Sequence, residues 1–207
     1  TDINGVYQPR SRSVDSAMAD LERVEVLSGP QGTLYGRNAT GGVVNYVLKR
    51  PSNSFEGEVT GRVGNYSRYG VQGRVTGPIS DDVRVLVSGI YDNQRKGYTK
   101  NLQPDAPRSR LDSGRFAGGR LAVDIGSKDG INVELEAIYL DTRTVPVAES
   151  FAVPDSASLI AFLGPQSFVP RKTYTELRAF TRSKYFQTSA TINVPITDNV
   201  SFKSITG

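Results

Sequence analysis

Cysteine, histidine and tryptophan are all absent from the 207 residues, and methionine occurs once. Without cysteine there is neither a disulfide framework nor a thiolate metal site. Without histidine the commonest general base, the base of a serine triad and the usual zinc ligand are gone. The composition therefore speaks against an enzyme, and no metal site or cofactor is predicted. Long apolar runs are missing too. No stretch reaches the roughly 18 apolar residues of a membrane helix, which excludes a spanning helix but leaves a spanning barrel open. The net charge of +4, from 25 basic and 21 acidic residues scattered along the chain, gives no support to a nucleic-acid partner. A starting Met and a signal peptide are also lacking, so the sequence reads as an internal fragment.

What is present leans toward β-structure: 21 glycines, ten tyrosines and eight phenylalanines. The stretch from Leu21 to Pro51 organises the rest. It sets two β-branched-rich segments, Arg23 to Leu27 and Val43 to Lys49, on either side of a region holding Gly29, Gly32, Gly36, Gly41 and Gly42. A phosphate-binding loop would require Gly-Lys-Ser/Thr, whereas Gly36 is followed by Arg37 and Asn38.

The runs Glu22-Arg23-Val24-Glu25-Val26-Leu27, Gly29-Pro30-Gln31-Gly32-Thr33-Leu34-Tyr35-Gly36, Gly41-Gly42-Val43-Val44-Asn45 and Lys49-Arg50-Pro51 closely resemble the end of the plug domain of TonB-dependent outer-membrane receptors. Asp2-Ile3-Asn4-Gly5-Val6-Tyr7 is similar to that family's Asp-Gly-Val-Tyr segment. The resemblance implies a mainly β chain, a fragment of a plugged transmembrane antiparallel β-barrel with about 7 of about 22 strands, preceded by part of an α+β plug. Residues 1–51 would be the C-terminal part of the plug and 52–207 the N-terminal part of the barrel.

After Pro51 the hydrophobic period is two, as a barrel wall demands. Phe55, Gly57, Val59, Gly61 and Val63 alternate with Glu56, Glu58, Thr60 and Arg62. Similar alternation covers Tyr69 to Ile79 and Val83 to Tyr91, where Leu86 and Ile90 break the polar phase. It recurs over Leu121 to Ile125, Ile131 to Tyr139 and Phe186 to Val194, and a seventh strand is read at Val200 to Thr206. The tight connections Pro78 to Asp82, Ser127 to Gly130 and Ile196 to Asn199 alternate with long ones, Arg95 to Ser113 and Thr142 to Lys184, the short hairpin Asn65 to Arg68 being the exception. Such alternation suits short periplasmic turns and long external loops. Tyr69, Tyr91, Tyr139 and Phe186 then fall at the outer strand ends on the lipid-facing phase, as an interfacial aromatic belt. Thr1 to Tyr7 reads as one strand, Gln8 to Asp15 as a loop, and Ser16 to Leu21 as a short helical turn.

By the resemblance, Gln8, Arg10, Ser11 and Arg12 are candidate ligand contacts at the plug apex. The basic loop residues Arg95, Lys96 and Lys100, with Tyr98, could attract an anionic chelate. Most relatives have an arginine where this chain has Ser28, which leaves Arg23 and Arg37 as candidate plug partners for barrel carboxylates. Glu56, Glu58, Glu134 and Glu136 are those carboxylates, read as polar wall residues rather than as a catalytic pair.

The implied protein is a transporter in the outer membrane of a Gram-negative bacterium, taking up a ferric siderophore or other iron complex. Its partners would be outer-membrane lipid, a small-molecule metal chelate, and the TonB energy-coupling protein, which would contact a segment upstream of Thr1. The alternative reading is a soluble secreted β-sandwich used for binding or adhesion.

Overall fold

The computed structural model describes residues 1–8, 20–32, 40–127, 130–146, 172–173, 180–197 and 199–207. The first sheet has four strands. Strand β1 (Asp2–Ile3) turns back through Asn4 and Gly5 into β2 (Val6–Tyr7), both turn residues having positive φ. The single strand expected over Thr1 to Tyr7 is thus a miniature hairpin. Its cause is the Asn-Gly pair, which tolerates the left-handed backbone of a tight turn. Strand β3 (Leu21–Ser28) pairs antiparallel with β4 (Gly42–Leu48), and β1 lies parallel to β4, giving the order β2-β1-β4-β3. Gly42 sits at φ +140°, where an added Cβ would stand 2.5 Å from the Leu27 carbonyl oxygen. Only glycine permits that approach. The helical turn expected at Ser16 to Leu21 lies outside the described residues except at Asp20 and at Leu21, which opens β3.

From residue 56 onward the chain builds a wall. Strands β5 (Glu56–Gly64), β6 (Arg68–Ser80) and β7 (Val83–Gln94) form a meander. Two short strands, β8 (Thr99–Asn101) and β9 (Arg110–Leu111), leave it before the chain returns as β10 (Gly114–Gly126) and β11 (Asn132–Thr144). Then come β12 (Lys172–Thr173), β13 (Thr181–Thr197) and β14 (Val200–Thr206). Seven of these make one antiparallel sheet ordered β14-β13-β11-β10-β7-β6-β5, while β12, β8 and β9 make a separate small sheet at the end that carries the long connections. Strand β10 starts at Gly114, well before the Leu121 read from the pattern, because pairing with both β7 and β11 holds Gly114 to Gly119 extended.

The two faces of the wall differ as the period of two requires. On one face Val59, Val63, Val71, Val75, Val87, Leu121, Leu135, Tyr139 and Phe186 are exposed, Val63 to 92 %. Burying apolar area is worth roughly 25 cal/mol per Å², so a continuous apolar face of this kind requires an apolar surrounding. The other face is covered by the first sheet. Leu86, which breaks the polar phase in the sequence, lies fully buried there in register with Thr76 and Ala122. Ile3 and Leu48 of the small sheet pack with Ile138 and Leu140 of the wall in one core cluster, flanked by Leu21, Tyr46, Phe116 and Tyr185.

Candidate functional site

Around that apolar cluster, the polar face of the wall meets the first sheet through charged and amide side chains. Arg120 and Glu136 both project inward because β10 and β11 alternate in phase, and the register sets Arg120 opposite Ile138, two positions along from Glu136. The Arg120 guanidinium donates from Nη1 to Asp20 Oδ2 at 2.5 Å and to the Lys49 carbonyl at 2.9 Å. It donates from Nε to Glu136 Oε2 at 2.7 Å, with Nη2 equally close. Asp20, the residue before β3, also accepts from the Ser88 hydroxyl at 3.2 Å and lies 3.8 Å from Arg74. Glu136 accepts from the Asn4 side chain at 3.0 Å. Asp20, Arg120 and Glu136 are all more than nine-tenths buried, which decides their energetics. Two carboxylates face two guanidiniums, so the group is balanced, but removing one member leaves a desolvated charge without its partner.

Two further contacts extend this layer. The Gln8 amide donates to Gln187 at 2.6 Å and accepts from the Tyr185 hydroxyl at 2.6 Å. Tyr185 also contacts Gln187 directly. The segment from Lys49 to Phe55 is held on the wall at several points. Arg50 reaches Glu134 at 2.8 Å, the Ser52 amide donates to the Thr76 hydroxyl at 2.9 Å, and Arg84 donates to Asn53 at 3.2 Å while pairing with Asp124 at 3.3 Å. Between the sheets lies a cavity of about 480 Å³ bordered by Asn45, Arg50, Glu134, Glu136 and Lys203. A second, of about 530 Å³, shares Arg50 and Pro51 with it.

The residues singled out in the sequence are distributed over different surroundings. Glu134 and Glu136 face the first sheet and the segment that leaves it. Glu56 accepts from the Ser52 and Ser54 hydroxyls, and Glu58 stands 3.5 Å from Arg74 on the wall itself. Arg23 pairs with Glu22 and Glu25 of its own strand, each at 2.8 Å. Gln8 is buried against the wall as described. Arg10, Ser11, Arg12 and Arg37 lie outside the described residues. The Arg95 and Lys96 amides donate to the Ser67 and Tyr66 carbonyls, so their loop continues from the β5–β6 turn. Tyr98 stacks edge-on to Tyr66 at 4.8 Å, Arg110 lies 5.8 Å above the Tyr66 ring, and Lys100 pairs across to β12. Asp20, Asn4 and Gln187 were not among the candidates. Their partners are set by how two sheets meet, which no local pattern encodes.

In the first sheet, Glu25 accepts from Asn45 at 2.9 Å, and this bond, followed by Arg23, holds its carboxyl below the usual carboxylate range. Burial pushes the Asp2 carboxyl upward. Among the described residues no group of three or more acidic side chains is arranged to hold a metal ion, and no helix is long and apolar enough to cross a membrane.

Residues 2–43 match the family model described as TonB-dependent Receptor Plug Domain. The pesticin receptor of Yersinia enterocolitica is 38% identical over 79 residues, 38% of this chain and 12% of that protein. The ferrioxamine B receptor of Salmonella typhimurium is 42% identical over 65 residues, 31% of this chain and 9% of its own length. The chain thus spans about a tenth of the curated relatives it matches. Its fold is similar to the closed form of the ferric-catecholate import receptor Fiu from E. coli, with TM-score 0.80 at 18% identity, covering 99% of this chain and 28% of that one. The ferric yersiniabactin uptake receptor FyuA from Yersinia pestis gives 0.77 at 23% identity, covering 98% and 30%. A plug-family sequence, a small sheet seated on the polar face of an antiparallel wall and the likeness of nearly the whole chain to plugged barrels agree: residues 2–43 carry the plug sequence of TonB-dependent receptors, and the chain has the fold of part of a plugged barrel.

Proposed function

We propose that residues 1–51 are the C-terminal part of a plug and residues 52–207 the first strands of a barrel, in an active transporter of the Gram-negative outer membrane. The observation that carries this reading is the two-faced wall, apolar and exposed on one side, polar and covered by the small sheet on the other. A soluble β-sandwich would need a second sheet packed on the apolar face. Among the described residues that face carries none.

The solute is a ferric siderophore or a similar iron complex. The printed names of the relatives support this, among them receptors for ferrioxamine B and for ferric pyoverdines. Uptake is driven by TonB acting on the plug. Arg10, Ser11 and Arg12, with Arg95, Lys96, Tyr98 and Lys100, are the proposed ligand-facing set, while Gln8 joins the contacts between plug and wall. Asp20, Arg120 and Glu136 hold the plug against the wall, and Glu134 and Glu56 hold the segment that follows it, through Arg50 and through Ser52 and Ser54, while Glu58 pairs with Arg74.

The test is complementation of an iron-starved strain lacking its own receptors, supplied separately with ferrioxamine B, a pyoverdine and a ferric catecholate. Growth on at least one chelate that requires both the full-length receptor and TonB is the expected result. Growth on none, from a receptor present in the outer membrane, would remove the iron-chelate assignment.

A further inference from the structure

The outward face of the wall carries one feature that its apolar pattern does not explain. Arg115, Arg143 and Arg182 stand directly opposite one another on β10, β11 and β13. Arg143 and Arg182 share the phase of Tyr139 and Phe186, which are themselves paired and exposed. Lys184 lies beside them, opposite Asp141. Like charges in direct cross-strand register repel. Asp141 relieves this only in part: Arg182 reaches it at 2.6 Å and Arg115 at 3.5 Å, while Arg143 lies 4.9 Å over the Phe180 ring. Among the described residues, four cations thus share one carboxylate on an outward surface.

Their height identifies the partner. The arginine row is four residues beyond the Tyr139–Phe186 pair along the strands. At about 3.3 Å per residue and a tilt of about 40°, that is roughly 10 Å closer to the external side. Tyrosine and phenylalanine rings in a barrel girdle mark the edge of the hydrocarbon, so the arginines stand at the depth of lipid phosphates. Guanidinium forks match phosphate oxygens in pairs.

We propose that Arg115, Arg143, Arg182 and Lys184 form a binding site for the phosphorylated headgroup of an external-leaflet lipid, which supplies the anion the row lacks among the described residues. This inference rests on the outer-membrane reading above. Its location on the outside of the wall separates it from any solute path through the lumen.

The experiment uses the full-length receptor in neutral detergent, with native mass spectrometry or titration against three probes: a diphosphorylated diglucosamine lipid, the same lipid without phosphate, and inorganic phosphate. Wild type is expected to bind the phosphorylated lipid at least tenfold more tightly than the phosphate-free one, in a salt-dependent manner. Arg143→Gln/Arg182→Gln should remove most of that preference, and Arg143→Lys/Arg182→Lys should keep part of it, because charge persists while the bidentate geometry does not. Equal binding by wild type and the Gln variant, or binding of inorganic phosphate as tight as that of the lipid, would overturn the proposal. Unfolding mobility on gels verifies that each variant has a folded barrel. Recovery of the receptor in the outer-membrane fraction, with lipid preference unchanged by substitution, would defeat this inference alone. Recovery outside the membrane would defeat the outer-membrane reading itself.

Discussion

At the scale of single residues the boundary between the two sheets is governed by desolvated charge. Breaking a buried ion pair by removing one partner costs about 3–5 kcal/mol, whereas replacing the whole set by apolar groups is often neutral. Asp20→Ala in the full-length receptor is therefore expected to destabilise the seating of the first sheet by about 3 kcal/mol. Asp20→Leu/Arg120→Met/Glu136→Leu should recover most of that loss. Amide hydrogen exchange over Leu21–Ser28 and Gly42–Leu48 reads both, and a triple variant as labile as the single one would contradict the account. Glu25 supplies a pH-dependent counterpart in the same sheet. Its folded pKa is depressed by Asn45 and Arg23, so its contribution is complete above the ordinary carboxylate value and is lost as pH falls through the depressed one. Asn45→Ala should move the Glu25 carboxyl titration upward, as followed by NMR of a selectively labelled receptor. Asp20 itself illustrates what a sequence conceals. It sits outside every alternating run, and only the approach of Ser88, Arg74 and Arg120 from the wall gives it a role.

At the scale of elements, strands were legible wherever β-branched and aromatic side chains alternate with polar ones. Phe55 to Val63, Tyr69 to Ile79 and Val200 to Thr206 needed no tertiary information to be placed, since one face must meet an apolar surrounding and the other a polar one. Gly114 to Gly119 resisted because Gly-Arg-Phe-Ala-Gly-Gly carries little alternation, and its extended form comes from neighbours on both sides. Strands β8, β9 and β12 were invisible for a different reason: two or three residues are too few to show a period, and β12 reaches β8 from far along the chain. Turns are subject to backbone chemistry instead. The β5–β6 connection bonds the Arg68 amide to the Asn65 carbonyl while Tyr66 and Ser67 take φ of 60° and 54°. A left-handed residue other than glycine costs about 1 kcal/mol, so Ser67→Gly should raise stability by up to about that amount, less the extra entropy of glycine in the unfolded chain. At Gly42 the sign reverses. Gly42→Ala would drive a methyl into the Leu27 carbonyl, and urea unfolding of the receptor is expected to show a loss of at least 2 kcal/mol, the ordinary range for a strained backbone site.

For the molecule as a whole, the decisive feature is a sheet that is complete on its polar face and bare on its apolar one. Its edge strands, β5 and β14, each have one hydrogen-bonding side without a partner strand among the described residues. Open edges next to an exposed apolar face promote strand addition and aggregation in water, and within a bilayer unpaired backbone groups are costly enough that only closed barrels span it. Residues 1–207 produced alone should therefore stay dispersed only in detergent and should form large assemblies when it is diluted below its micelle concentration. Phe55→Ser, Val63→Ser and Ile79→Ser together, all on the exposed apolar face, would reduce the detergent requirement without closing the edges, so oligomers of limited size would remain. Size-exclusion chromatography with light scattering distinguishes these outcomes. A monodisperse monomer in plain buffer from the unsubstituted chain would mean that the apolar face is covered from within, and the wall could not then be the lipid-facing side of a barrel.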